Sequence, residues 1–132
     1  MISYKKRIKY KYTLLEDYSH QTDVQVAKDA DLGLLTIDTS GLLKIRKGYS
    51  WDGPSGPTID TKNFMRGSLV HDALYQLMRE KKIDQEQRKR ADEILKEICR
   101  ESGMSKIRAW WVYVGVRIFG TGSARPDIRH AP

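Results

Sequence analysis

Two short runs in this chain hold residue types that can do acid–base chemistry together: Val70-His71-Asp72-Ala73-Leu74-Tyr75 and, farther along, Ala91-Asp92. His71 and Tyr75 are four apart, so a helix places them on one face with Asp72 on its flank. The stretch from Asn63 to Arg79 has no proline and spaces Phe64, Val70, Leu74, Leu77 and Met78 as a helix would. A second helical pattern opens at Ile83-Asp84, carries Ala91, Ile94, Leu95, Ile98 and Cys99, and ends at Gly103. The link around Lys81-Lys82 is short, which predicts antiparallel neighbours. His71 precedes that link by about ten residues and Asp92 follows it by about ten, so a rise of about 1.5 Å per residue sets the two at one height. A carboxylate facing an imidazole across a helix pair orients the ring and makes it a better base. The spacing therefore predicts a His71–Asp92 dyad on antiparallel helices.

Two more acids are candidate metal ligands: Asp72, beside the histidine, and Asp52, which begins the loop Trp51-Asp52-Gly53-Pro54-Ser55-Gly56. A hard cation such as calcium takes several oxygens, and these aspartates with carbonyls near Gly53 could supply them. One histidine and no cysteine pair make a poor zinc set. His20 and His130 have no accompanying ligand spacing and are assigned no role. Each candidate has a structural alternative. Asp92 could cap a helix or satisfy a buried histidine, Tyr75 could be a core residue whose hydroxyl finds a partner, and Asp52 could be a turn residue. An enzyme is expected to hold His71 and Asp92 within hydrogen-bond reach in an open cleft, with Asp52 and Asp72 converging. A non-catalytic relic is expected to bury His71 or leave the acids diverging.

The elements that must position these groups read as an α+β order. Residues 2–14 alternate, with Ile2, Tyr4, Ile8, Tyr10, Tyr12 and Leu14 on one side and Lys5, Arg7, Lys9 and Lys11 on the other, which predicts one strand with a basic face. Val24 and Val26 are expected to continue the sheet. Leu34–Ile37 and Leu42–Ile45 flank Thr39-Ser40-Gly41 as a hairpin. After the loop Gly53-Pro54-Ser55-Gly56-Pro57 come the two helices, then a third from Ser105 to Phe119 bearing Ile107, Trp111, Val114 and Ile118. The expected architecture is a small N-terminal antiparallel sheet followed by three helices, one domain over 1–119 with a tail over 120–132.

Composition bounds the partners. Of 132 residues, 31% are charged and 39% hydrophobic, which suits a globular chain and not a disordered one. The single cysteine, Cys99, gives no disulfide framework and is expected to pack. The basic N-terminus has no following apolar run, so no signal peptide is expected, and no stretch reaches the roughly 20 apolar residues of a membrane span. A net charge of +7 favours nucleic acid, acidic lipid headgroups or an acidic protein as partners, against the alternative of a solvated basic surface.

His-Asp-x-x-Tyr on one helix, with an aspartate on its antiparallel partner and an Asp-Gly loop upstream, resembles the core of the secreted calcium-dependent phospholipases A₂, closest to the short bacterial and fungal members. The likeness covers Trp51-Asp52-Gly53 through Tyr75 to Asp92, about a third of the chain. It implies His71 as the base activating a water, Asp92 and Tyr75 as its orienting network, and Asp52, Asp72 and carbonyls near Gly53 as calcium ligands. Those enzymes are stapled by disulfides that this chain lacks. A second resemblance spans nearly the whole chain. Gly48-Tyr49-Ser50-Trp51-Asp52-Gly53-Pro54-Ser55, His71-Asp72-Ala73-Leu74-Tyr75, Ala91-Asp92 and a closing stretch from Tyr113 to Gly120 look like a small family found in tailed bacteriophages and prophages. It implies a setting in the host bacterial cytoplasm or the virion and names no activity.

Three function classes follow. The first is a calcium-assisted hydrolase of an ester or phospholipid, with the basic face at Lys5, Arg7, Lys9 and Lys11 meeting anionic headgroups. Trp110, Trp111 and Tyr113 would also suit a lipid interface, although the third helix is expected to bury most of them. The second is a non-catalytic virion or assembly protein, with phage structural proteins as partners, that reuses the scaffold. The third is nucleic-acid binding by the same basic stripe, without any recognisable binding motif.

Overall fold

Leu35, Ile37, Leu43 and Ile45 are buried and Lys44 between them is exposed, the period-two pattern of a sheet with one face in water. A computed structural model describes residues 12–51 and 62–120 with their side chains and residues 4–6 as backbone. Among these described residues seven short strands come first: β1 (Tyr4–Lys6), β2 (Tyr12–Leu14), β3 (Tyr18–Gln21), β4 (Ala30–Asp31), β5 (Leu35–Ile37), β6 (Leu42–Ile45) and β7 (Ser50–Trp51). Three helices follow, α1 (Lys62–Arg79), α2 (Arg88–Glu101) and α3 (Lys106–Phe119). The strands make two antiparallel sheets, ordered β1-β2-β7 and β3-β6-β5-β4. This is the expected α+β architecture, strands first and helices after.

The β5–β6 hairpin forms where the sequence places it, and its turn shows why. Asp38 Oδ1 accepts from the Ser40 and Leu42 amides, and Gly41 takes φ +87° where an added Cβ would stand 2.5 Å from Thr22 O. Two strand expectations fail. Residues 2–14 are not one strand, because β1 folds back on β2 with Tyr4 opposite Leu14 and Lys5 opposite Thr13. A polar position of the alternating pattern, Thr13, is buried and hydrogen-bonded to Ser50 Oγ at 2.9 Å. Period-two alternation is the same for one long strand as for two short ones, so it could not reveal the reversal. Val24 and Val26 do not extend the sheet either. Val24 is buried from an irregular segment whose backbone bonds to the Thr22 hydroxyl.

α1 is the centre of the molecule. Its buried residues lie on nearly every side, against β-strand residues such as Leu43, Ile45 and Trp51 and, through Phe64, against Leu95, Cys99 and Met104. Its end is a left-handed turn in which Lys81, at φ +64°, does the work usually given to glycine: the Lys82 amide bonds Leu77 O and the Lys81 amide bonds Met78 O. Asp84 then caps a 3₁₀ turn, Gln85–Gln87, that feeds α2. Ser105 caps α3 by accepting from the Arg108 amide.

α3 packs by a different face from the one its sequence suggests. Ala109 is buried and Val112 and Val116 lean on the Phe64–Cys99 cluster, whereas Ile107, Trp110, Trp111 and Ile118 are exposed. The small residues let the helix sit close to α2, and the larger ones face outward. Among the described residues no helix is long and apolar enough to cross a membrane.

The α1–α2 approach depends on Gly67, whose added Cβ would stand 2.9 Å from Leu95 Cδ1 and 3.0 Å from Cys99 Sγ. Gly67→Val is expected to overpack this crossing, costing roughly 1–3 kcal/mol and lowering the melting temperature by roughly 5–10 °C. Thermal denaturation followed by circular dichroism checks it, and an unchanged melting temperature would refute the close crossing.

Candidate functional site

His71 comes from the middle of α1, one turn beyond Gly67, and Asp92 from the second turn of α2, one turn before Leu95. The glycine crossing thus brings the two side chains together: His71 Nε2 lies 2.7 Å from Asp92 Oδ1. A carboxylate only accepts, so Nε2 carries the proton and donates it, leaving Nδ1 with a lone pair in the neutral ring. The expected dyad is present at the expected height.

Asp92 is completely buried, and both of its oxygens are supplied with donors. Oδ1 also accepts from the Tyr75 hydroxyl at 2.6 Å. Oδ2 accepts from Arg117 Nη1 at 2.9 Å, with Arg88 Nη1 at 3.6 Å. Burial alone would raise the Asp92 pKa, but the hydrogen bonds from His71, Tyr75 and Arg117 outweigh it and hold the carboxyl below its ordinary range. The Tyr75 phenol is pushed the other way, by burial first and then by the adjacent Asp92 charge, so it stays protonated and remains a donor. Its ring lies 4.1 Å from the imidazole, centroid to centroid.

Arg88 and Arg117 are neighbours of Asp92 that the sequence reading does not single out. Arg88 was legible in principle, since it precedes Asp92 by one turn on the same helix. Its guanidinium also donates to the Tyr75 hydroxyl at 3.3 Å, to Val116 O at 3.2 Å and to Arg117 O at 3.4 Å, and so caps carbonyls at the end of α3. Arg117 had no signal, because nothing in the spacing of α3 says that its last turn reaches α2. Gly120 closes this corner: an added Cβ would stand 2.6 Å from the Tyr75 hydroxyl oxygen.

The acids expected to hold a metal are placed less fully. Asp72 Oδ1 stands 4.0 Å from His71 Nδ1, beyond hydrogen-bond reach, with a third of its side chain exposed. Asp52 and Gly53 lie outside the described residues, as do Arg7, Lys9 and Lys11, the side chain of Lys5 and the tail beyond Gly120. Trp51, the last described residue before the loop, is anchored on α1 by Nε1 donating to Ser68 Oγ at 3.1 Å, within one turn of His71. Among the described residues no three His, Cys, Asp or Glu side chains could jointly hold a metal ion.

Access to the imidazole is narrow. His71 is 7% exposed and Asp92 not at all, so the acid that orients the ring has no solvent contact. An open groove of about 810 Å³ lies elsewhere, between Gln25–Ala27 and Lys81–Gln87. Cys99 packs as expected, its thiol pushed up to about 12 by burial. His20 stacks on Tyr18, whose hydroxyl accepts from Arg66, in a cluster apart from the dyad.

A family model described as a protein of unknown function (DUF1353) matches residues 30–116, about two thirds of the 132-residue chain. The matched span contains His71, Asp72, Tyr75, Arg88 and Asp92 and stops one residue short of Arg117. No curated protein and no solved structure matches the chain.

The depressed Asp92 pKa has a signed consequence for stability. Its contribution is complete above the unfolded-state value of about 3.9 and is lost as pH falls through the lower folded value. Asp92→Asn leaves two guanidinium groups facing a neutral amide, and breaking a buried pair in this way costs about 3–5 kcal/mol. The gap in melting temperature between wild type and Asp92→Asn is therefore expected to narrow as pH falls below about 4. A gap independent of pH down to 2.5 would show that the carboxylate is not the group at work.

Proposed function

We propose, for a chain that belongs to the DUF1353 family of proteins of unknown function, that His71 is the general base of a hydrolase acting on an ester, with a phospholipid as the substrate class. The observation that carries this reading is the direction of the imidazole: Nε2 is committed to a buried carboxylate at 2.7 Å, which presents Nδ1 as the lone-pair nitrogen. A water at Nδ1 would give up its proton there as its oxygen attacks the ester carbonyl, and the same proton would pass from Nδ1 to the leaving alkoxide. Asp92 keeps the tautomer and aim of the ring through both transfers, and Tyr75 and Arg117 keep Asp92 in place. The likeness of His71-Asp72, Tyr75, Asp92 and the Asp52-Gly53 loop to phospholipases A₂ supports the same assignment.

Calcium is the proposed cation, held by Asp72 with Asp52 and carbonyls near Gly53. Bound there, it would polarise the ester carbonyl and take up charge on its oxygen. The described residues supply one carboxylate of that set, Asp72, and the other proposed ligands, Asp52 and Gly53, lie outside them.

The near-complete burial of His71 favours a second reading, in which the network is a structural clasp and the protein a non-catalytic component, a phage virion or assembly protein by its resemblance.

The two readings separate in one experiment: turnover of a fluorogenic phospholipid in calcium or chelator, with His71→Gln as the variant. Gln can still meet Asp92, so the fold should persist while turnover falls by roughly a hundredfold or more. Wild-type protein that melts cooperatively, shows no turnover and gains no thermal stability from calcium would overturn the hydrolase and leave the clasp.

A further inference from the structure

Among the described residues, the exposed face of α3 is an apolar feature that the dyad does not use. At about 100° per residue, Ile107, Trp110, Trp111, Val114 and Ile118 fall within an arc of about 100°, directly opposite the packed Ala109, Val112 and Val116. Ile107 is 73% exposed, Trp111 62%, Ile118 62% and Trp110 51%, so this is an apolar stripe left in water and not a core face seen edge-on. The two indoles meet edge to face at 5.1 Å. Lys106 and Arg108 flank the stripe at its start, and α3 carries no aspartate or glutamate.

That charge pattern chooses among occupants. A second copy would set one stripe against another and bring Lys106 and Arg108 against the same cations, in a chain that already carries +7. An anionic lipid surface meets both requirements: indoles and aliphatic side chains enter at headgroup depth, while lysine and arginine at the edges reach the phosphates. We propose that α3 is a membrane-docking helix that lies in the plane of an anionic lipid surface on its Ile107–Trp110–Trp111–Ile118 face. The inference stands apart from catalysis, since it uses no residue of the dyad.

The test is flotation of the full chain with phosphatidylcholine vesicles, with or without phosphatidylglycerol, together with tryptophan emission. Wild type should float with the anionic vesicles, shift its emission to the blue and release as salt rises. Trp110→Ser/Trp111→Ser should lose at least roughly tenfold in vesicle affinity, and Lys106→Glu/Arg108→Glu should lose the preference for anionic lipid. All four side chains are outside the core, so melting temperatures should hold. Turnover of a dispersed, soluble ester should also survive Trp110→Ser/Trp111→Ser, which separates failure of this face from failure of the hydrolase. Wild type that ignores both vesicle types, or a serine variant that binds like wild type, overturns the proposal. So does a wild-type dimer that ignores vesicles and becomes monomeric on the serine substitutions, which would assign the face to a second copy.

Discussion

A carboxylate with no solvent contact is the constraint around which the helical half is arranged. Burying an ionised Asp92 would cost several kcal/mol if its oxygens were left unmet. They are met by groups from all three helices: His71 and Tyr75 of α1, the neighbouring Arg88 of α2, and Arg117 of α3. No two helices alone supply this set, so the acid makes the docking of α3 and the pairing of α1 with α2 conditions of one another. Arg88 strengthens the coupling by bonding the Tyr75 hydroxyl and the α3 carbonyls with one guanidinium.

The geometry of that carboxylate is inherited from backbone approach. Gly67 lets α1 and α2 come close enough that a histidine one turn along reaches across at 2.7 Å. The sheets hold α1 from its other side through apolar contacts and through two polar anchors, Trp51 to Ser68 and the Tyr49 hydroxyl to Gln76. These anchors bring the chain at Trp51, just before residues 52–61, against the same helix that carries His71 and Asp72. Around the rim, Arg66 joins Tyr18 to Glu101 and Arg90 joins Asp23 to Glu97, tying the strand half to α2 by solvent-facing ion pairs whose separate worth is small.

Electrostatics gives the site a division of labour. Asp92 is already matched by two guanidinium groups, so what it chiefly offers the imidazole is a fixed tautomer and a fixed direction. The same structure serves a base or a clasp, since either needs a ring that does not turn. What distinguishes them is whether water and a substrate carbonyl reach Nδ1, which the burial of His71 makes a narrow approach. α3 serves both its inner and its outer surroundings. Its inner side and last turn complete the Asp92 shell, while its outer side leaves two tryptophans in water.

The helix pair and the dyad were legible in the sequence because helical period, short link and constant rise per residue are local properties, and together they set His71 opposite Asp92. Tyr75 was legible for the same reason, by standing four residues from the histidine, and the Thr39-Ser40-Gly41 turn by its local chemistry. What the sequence left undecided came from contacts between elements. Alternation from Ile2 to Leu14 is blind to a reversal within it, so the antiparallel pairing of β1 with β2 depended on strand partners. The apolar stripe of α3 looked like a core face because its largest residues share it. Packing chose instead the side with Ala109, Val112 and Val116, whose small volume lets α3 close on α2 and carry Arg117 to Asp92. Spacing along one chain determined which residues could meet across a helix pair; only the tertiary structure decided which side of α3 turned inward, because that depends on the shape of the surface it packs against.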